Sequence, residues 1–329
     1  MNIGVIGVGR MGTNHIRICK KLKNATLIGC CDIIKEKADK ISRDFNIKKF
    51  YDYKKMIEEV DAVIIATETI YHYDIAKFCI ESKRHVLIEK PITLNINDGK
   101  ELIDLANKKG VILSVGHVER FNPVVQTLNN IFDSNKTIGI SVKRMSPMDH
   151  RVKDIDVVLD LMIHDIDVIL TFMRGYSITN IEAIGRIIRE ESIDDKNCDY
   201  AVAQLQFNNG VIVDLTASRV TEKKVRSLTI SNIDEFIELD YMNKKLTINK
   251  EFKAELNCID NNHKLRYQQQ SIVRDVVLNT SESLLEEDQN FVDSIINPDF
   301  LMVKGREALL ALDVANKIRE KIYKKLILK

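Results

Sequence analysis

The sequence lacks paired cysteines. None of its six cysteines lies in a CxxC motif, which argues against a zinc knuckle and against a dithiol redox centre. The six are Cys19, Cys30, Cys31, Cys79, Cys198 and Cys258. Most lie in predicted helices or strands, where a buried free thiol is the simpler interpretation.

The sequence also lacks an excess of either charge and any long apolar run. Its 49 Lys and Arg against 48 Asp and Glu argue against nucleic acid or an anionic membrane as the main partner. No apolar run approaches the length of a membrane-spanning helix. The opening MNIGVIGVGRMG is typical of a strand and turn rather than of a signal peptide. We therefore expect a globular protein that stays in the cytoplasm.

The first third of the chain alternates short apolar runs with amphipathic helical patterns. The runs are NIGVIG, TLIGCCD, AVIIATE, HVLIEK and VILSVG. Continuous apolar runs are typical of strands buried on both faces of a parallel sheet, and their alternation with helices is typical of a doubly wound α/β fold. We predict a Rossmann domain over residues 1–120.

A glycine-rich turn follows the first predicted strand and opens a helix. The GxGxxG spacing permits a tight turn and lets the backbone approach a pyrophosphate at the helix start. The predicted cofactor contacts in this turn are Gly7, Gly9, Arg10, Met11 and Gly12. Asp32 ends the second strand, where an acid accepts hydrogen bonds from ribose hydroxyls and repels a 2′-phosphate. The pattern favours NAD over NADP; the alternative is a glycine turn in another α/β protein.

Two further strand ends carry polar residues. In an open α/β sheet, ligands lie beyond the carboxyl ends of the strands. Thr67 and His72 follow one strand, and Glu89 and Lys90 follow the next, with Pro91 disfavouring a helical conformation at Lys90. We predict that these residues border the cofactor; on spacing alone, a solvated strand-end lysine remains the alternative.

The pattern changes after residue 120. A helix predicted over 121–131 is followed by the strand TIGISVKRM, by half-alternating strands with short turns, and by two late helices. Short turns between successive strands predict a large, mostly antiparallel open sheet. We predict an α+β domain over residues 121–329 that binds substrate, with the open face of its sheet covered by a second subunit in a homodimer or homotetramer.

Charges interrupt one apolar helix of this second part, VVLDLMIHDIDVIL. At 3.6 residues per turn, Asp156, Asp160, His164 and Asp167 share one stripe, and Asp160 and His164 are neighbours at i,i+4. Three interpretations compete: a solvated face, a metal site, or a carboxylate that orients an imidazole for acid–base work. Asp165 points into the apolar face, so we expect a buried carboxylate there and solvated ones at Asp156 and Asp167.

Four segments together resemble the Gfo/Idh/MocA family of sugar and cyclitol oxidoreductases: GVIGVGRMG, EKPIT, GHVERFNP and DLMIHDID. The resemblance implies a Rossmann domain, a C-terminal domain used for oligomerisation, and nicotinamide-dependent oxidation of a ring hydroxyl. It implies that Lys90, Asp160 and His164 form the catalytic group and that Glu89 meets the nicotinamide ribose.

Within that family, the chain looks most like the branch that oxidises C3 of UDP-N-acetylglucosamine. The alternatives are a dehydrogenase of a free sugar or inositol, an NAD-dependent glycosidase, and a non-catalytic NAD-binding regulator. For a diphosphate substrate the candidate cations are Arg120, Lys143, Arg144 and Arg151. Asn122 is expected either to bind sugar hydroxyls or to cap the helix that begins at Pro123. The predicted substrate contacts are thus Lys90, Arg120, Asn122, Arg144, Asp160 and His164. No metal is expected.

Overall fold

The computed structural model describes residues 1–147, 155–189, 192, 197–252, 270–276 and 281–326. Its contacts divide the chain into two compact units. The first is Met1–Asn122 with the described parts of His150–Leu170 and Ser281–Lys317; the second is Pro123–Asp149, Thr171–Thr280 and Ile318–Lys329, again where described. The chain thus first changes unit close to the predicted boundary at residue 120, but later segments return to the first unit.

The first unit contains a six-stranded parallel sheet. Its strands are β1 (Asn2–Ile6), β2 (Thr26–Cys31), β3 (Lys48–Phe50), β4 (Ala62–Ile65), β5 (His85–Glu89) and β6 (Leu113–Gly116). Their order is β3-β2-β1-β4-β5-β6, and every pairing is parallel. The order reverses between β1 and β4, which is the switch point where such sheets bind dinucleotides. The predicted doubly wound fold is confirmed.

Helices connect these strands. They are α1 (Arg10–Cys19), α2 (Lys35–Phe45), α3 (Tyr53–Ile57), α4 (His72–Glu81) and α5 (Ile96–Lys109). Asn95 caps α5 by accepting a hydrogen bond from the amide of Asp98, and Gly110 ends it with a φ of +67°, which glycine adopts without the steric cost of a Cβ.

Later helices complete the first unit. They are the first part of α7 (Ile163–Phe172), α8 (Ser283–Ile296) and the first part of α9 (Gly305–Leu326). Phe291 and Val292 of α8 pack in the same buried cluster as Ile3 and Val5 of β1. The apolar face of α8 is therefore buried against the parallel sheet, which explains why a late segment belongs to the N-terminal unit.

The second unit contains an eight-stranded sheet and α6 (Pro123–Ile131). The strands are β7 (Thr137–Met145), β8 (Ile178–Arg186), β9 (Tyr200–Phe207), β10 (Ile212–Ser218), β11 (Val225–Asn232), β12 (Glu235–Asp240), β13 (Lys245–Phe252) and β14 (Gln270–Asp275). The order is β14-β13-β12-β11-β7-β10-β9-β8, and β7 and β10 are the only neighbours among the described strands of this sheet that pair in parallel. The predicted mostly antiparallel sheet is confirmed.

This sheet exposes several large apolar side chains. Ile138, Ile184 and Ile212 are among them, while alternate positions of β9 and β12 are buried. Pairing with a second copy stays a prediction. No helix in the described ranges is long and apolar enough to cross a membrane. The cysteines within those ranges are buried free thiols, as predicted; Cys258 lies outside them.

Candidate active site

The turn between β1 and α1 leaves space for a phosphate. Gly7 has a φ of +87°, and a Cβ at Gly12 would lie 1.8 Å from the carbonyl oxygen of Gly7, so neither position accepts a larger residue. A Cβ at Gly9 would meet nothing within 4 Å, and α1 begins at Arg10 without a side-chain cap from Gly9. An open backbone cradle at an uncapped helix start suits the pyrophosphate of a dinucleotide.

Asp32 stands where the adenosine ribose of such a dinucleotide would bind. Its Oδ2 accepts the amide of Val8 at 3.0 Å and its Oδ1 accepts the amide of Ile34 at 2.9 Å. A carboxylate has about four acceptor positions, so two ribose hydroxyls can still be accepted. Ile33, 81% exposed, follows directly, and an apolar side chain offers a 2′-phosphate no countercharge. These residues fit NAD, as predicted.

His72 joins the loops that follow β4 and β5. It is buried, with Nδ1 2.9 Å from the carbonyl oxygen of Pro91 and Nε2 3.2 Å from that of Thr67. Thr67 itself directs its hydroxyl towards the carbonyl of Glu68. Both predicted cofactor residues therefore lie at the predicted strand ends, with the His72 ring holding the two loops together.

Lys90 meets the aspartate of the charged helix. Its Nζ donates to the backbone oxygen of Asp160 at 2.6 Å and lies 3.6 Å from Oδ1 of the same residue. Both side chains are mostly buried, with 14% and 19% exposed. Two residues predicted to act together, 70 positions apart in the chain, are thus adjacent in the fold.

The helix that carries Asp160 begins with a π turn. Val158–Met162 is π-helical and Ile163–Phe172 continues as α7. Asp156 is fully buried because its Oδ1 accepts the amides of Val158 and Leu159, both at 3.1 Å. The expectation of a solvated Asp156 is therefore wrong; the side chain satisfies the free amides at the helix start.

Asp167 is the second correction. It is 1% exposed because Arg120 donates to it through Nε at 2.7 Å and Nη2 at 2.6 Å. Arg120 also donates through Nη1 to Glu307 at 2.5 Å and to the carbonyl oxygen of Met302 at 3.3 Å. The guanidinium proposed for a substrate phosphate is thus engaged by two carboxylates. Asp165 is buried, as predicted.

The remaining predicted substrate residues lie in different surroundings. Asn122 is buried and donates to Glu119 at 3.0 Å. Arg144 belongs to the second unit, where its buried guanidinium lies 5.2 Å from the ring centre of Tyr241. Lys143 on β7 is exposed. Arg151 lies outside the described residues.

Sequence reasoning missed a buried group beside Glu89. His15 of α1 is fully buried, with Nε2 3.1 Å from Oε1 of Glu89 and Nδ1 2.9 Å from Oδ1 of Asp288. Burial acts to raise the pKa of Glu89, but the hydrogen bond and charge of His15, together with Lys90, hold it below its ordinary value. His15 and Asp288 are 273 residues apart, so no local spacing connects them.

Comparisons with known proteins agree with this geometry. The family model of the oxidoreductase family, NAD-binding Rossmann fold, matches residues 1–117, and the GFO/IDH/MocA C-terminal domain model matches residues 141–232. UDP-N-acetylglucosamine 3-dehydrogenase of Acidithiobacillus ferrooxidans is 33% identical over 249 residues, covering 75% of this chain and 76% of that protein. Myo-inositol 2-dehydrogenase of Thermotoga maritima is 31% identical over 231 residues, covering 67% and 69%.

A solved structure of the Acidithiobacillus enzyme matches the whole fold. It aligns with a TM-score of 0.85 at 28% identity, covering 98% of this chain and 97% of that one. The parallel sheet, the glycine turn and Asp32 define a nicotinamide-dependent dehydrogenase. The chain belongs to the Gfo/Idh/MocA oxidoreductase family, and it is an NAD-dependent sugar dehydrogenase that acts on CH–OH groups. The predicted family, enzyme class and cofactor are confirmed.

Proposed function

We propose that the protein oxidises the C3 hydroxyl of UDP-N-acetylglucosamine to the 3-keto sugar. The observation that carries the chemistry is the contact of Lys90 with Asp160, which joins the end of β5 to the helix that also bears His164. The substrate is supported by the relative that is 33% identical over 76% of its own length and acts on this sugar nucleotide.

Each side chain of the group has a distinct task in this proposal. His164 accepts the hydroxyl proton, and Asp160 orients the imidazole for that transfer. Lys90 has three N–H donors, of which Asp160 occupies one at 2.6 Å, so a second can stabilise the oxygen as it becomes negative. The glycine turn and Asp32 would hold NAD, which would supply the acceptor for the hydride that leaves C3. We assign the role of base to His164 rather than to Lys90, because histidine is the most frequent general base in enzymes.

A cyclitol dehydrogenase is the second candidate. It is favoured by the 31% identity to myo-inositol 2-dehydrogenase. The two candidates share the catalytic group and the cofactor, so they differ only in the substrate that is oxidised. An NAD-dependent glycosidase would use the same residues but release free sugar without net formation of NADH.

The test is an NADH absorbance screen of the purified protein with UDP-N-acetylglucosamine, other UDP-sugars, free hexoses and myo-inositol. We expect NADH only with the UDP-sugar, together with a product that mass spectrometry identifies as two hydrogens lighter. NADH formed only with myo-inositol, or free sugar released without NADH, would overturn the proposal.

Variants test the assigned roles. His164→Asn and Lys90→Met should each lower kcat by about 10²- to 10⁴-fold, and calorimetry should show unchanged NAD binding in His164→Asn. Lys108→Met is the matched control, because Lys108 is an exposed residue in the last turn of α5, and it should keep full activity. Wild-type turnover in His164→Asn would exclude His164 as the base.

A further inference from the structure

Four ionisable side chains cluster in the first unit beside the end of β5. His15 comes from α1, Glu89 ends β5, and Glu287 and Asp288 come from α8. None is more than 9% exposed, and ligand-type atoms of His15, Glu287 and Asp288 lie within 4.8 Å of one another. Ionisable groups are rarely buried unless each is paired, so their placement requires an explanation beyond packing.

The geometry of the imidazole favours its protonated form. Nδ1 lies 2.9 Å and 3.0 Å from the two carboxylate oxygens of Asp288, and Nε2 lies 3.1 Å from Glu89. A neutral imidazole has one N–H, so one of its nitrogens would direct a lone pair at a carboxylate. An imidazolium donates to both. Burial acts to lower the pKa of His15, but Asp288 and Glu89 together raise it well above its ordinary value.

The imidazole also fixes the orientation of Glu89. Oε1 of Glu89 faces His15, while Oε2 lies 3.2 Å from the amide nitrogen of Lys90. A Cβ at Gly116 would be 3.2 Å from Oε2, so the glycine on the neighbouring strand leaves the space that the carboxylate occupies. Glu89 is therefore held at both oxygens, one residue before Lys90.

We propose that His15 is a positioning residue for the cofactor site: as an imidazolium between Asp288 and Glu89, it keeps Glu89 ionised and in one rotamer. An ionised Glu89 in a fixed rotamer is preorganised to accept a hydrogen bond from a ribose hydroxyl of NAD. The inference rests on the cofactor-facing role proposed for Glu89 and not on the identity of the sugar.

The other charges around the cluster do not replace His15. Burial and the charges of Glu89 and Asp288 raise the pKa of Glu287 well above its ordinary value, and neither of its carboxyl oxygens has a hydrogen-bond partner among the described residues, so Glu287 does not hold the imidazole. The titratable groups of the surrounding elements are Cys19, Lys90, His117, Asp167 and Glu282. Of these, Lys90 is a cation near Glu89 but contacts it through its backbone amide.

The principal test is calorimetric measurement of NAD binding to His15→Gln between about pH 6 and pH 9. Glutamine fills the space and keeps one donor for Glu89, but it carries no charge and turns its carbonyl oxygen to Asp288. We expect NAD affinity to fall by about 10- to 100-fold at the lower pH and to recover as pH rises, because Glu89 without the imidazolium titrates at higher pH. Wild-type affinity should stay nearly constant over this range.

A double variant separates hydrogen bonding from charge. In His15→Gln with Asp288→Asn, the asparagine amide can donate to the glutamine carbonyl, so the rotamer of Glu89 is restored without the positive charge. We expect NAD affinity to recover partly at high pH and to keep its dependence on pH. A purely structural role would lower the melting temperature of both variants without creating a pH-dependent affinity.

His85→Gln is the matched control, because His85 begins the strand that Glu89 ends and its Nδ1 accepts the amide of Ile112 at 3.0 Å. It should bind NAD as the wild type does. An affinity and pH profile in His15→Gln equal to the wild type would overturn the inference. Calorimetry of NAD binding needs no sugar, so this test of His15 remains valid even if UDP-N-acetylglucosamine is not the substrate.

Discussion

Replacing Arg120 by alanine should destabilise the first unit strongly. Arg120 is 6% exposed and donates twice to Asp167, which is 1% exposed. The variant leaves the Asp167 carboxylate buried without the two hydrogen bonds of the Arg120 guanidinium, and breaking a buried pair on one side costs about 3–5 kcal/mol. Asp167 lies one turn after His164 on α7, so the helix that carries the proposed base also loses its ion pair with Arg120.

The assay is chemical denaturation followed by circular dichroism, with the melting temperature as a second measure. A loss of about 3–5 kcal/mol corresponds to a decrease of the order of 10 °C for a cooperative unit of this size. Glu307→Gln is the graded control, because the Glu307 side chain is 30% exposed and a partly exposed pair contributes about 1 kcal/mol or less. Arg120→Met combined with Asp167→Leu should recover much of the loss, since an apolar pair leaves no buried charge.

The result also decides between two roles for Arg120. A structural role predicts lost stability, whereas a phosphate contact predicts an unchanged melting temperature and a higher KM for a diphosphate substrate alone. If Arg120→Ala unfolds at the wild-type denaturant concentration, the reasoning from the buried ion pair is refuted. A raised KM in that stable variant would instead support the phosphate contact.

Two further predictions concern the glycine turn and the cluster beside Glu89. Gly12→Ala should lower the melting temperature, because its Cβ would lie 1.8 Å from the oxygen of Gly7. Gly9→Ala should keep the melting temperature, because its Cβ would meet nothing within 4 Å, but it should weaken NAD binding in calorimetry. Equal melting temperatures and NAD affinities of the two variants would contradict the assigned roles of these glycines. Glu287 has no hydrogen-bond partner for either oxygen among the described residues and has a raised pKa. The folded state therefore loses stability relative to the unfolded state as pH rises from the ordinary pKa of a glutamate to the raised pKa of Glu287. Glu287→Gln should therefore be more stable than the wild type by about 1–3 kcal/mol near neutral pH, as measured by denaturation at a series of pH values. If the free energy of unfolding depends on pH equally in both proteins, the raised pKa of Glu287 is ruled out.

The sequence was sufficient for features that depend on local patterns. The parallel sheet followed from continuous apolar runs, because strands buried on both faces leave no polar alternation. The strand Thr137–Met145 begins and ends at its predicted residues. The glycine turn and Asp32 were recognisable because their function requires a fixed spacing along one βαβ unit.

Contacts between distant segments were not predictable from spacing along the chain. The prediction of a solvated Asp167 treated its stripe as a surface, since nothing nearby in sequence supplies a countercharge. Its partner Arg120 lies 47 residues away, and Arg120 meets Glu307 across 187 residues. The return of α8 to the N-terminal unit was missed for the same reason, because an amphipathic pattern shows that a helix has a buried face but not which sheet covers it.

Burial distinguishes the residues of the charged helix that are proposed to act on substrate from those that stabilise the helix. Asp156 accepts amides at the helix start, Asp167 pairs with Arg120, and both are closed to solvent, as is Asp165. Asp160 and His164 are the ionisable residues of this segment that stay partly exposed, and the former contacts Lys90. Since buried carboxylates hold the helix on both sides of this pair, the partial exposure of Asp160 and His164 fits the access for a substrate hydroxyl that the proposed function requires.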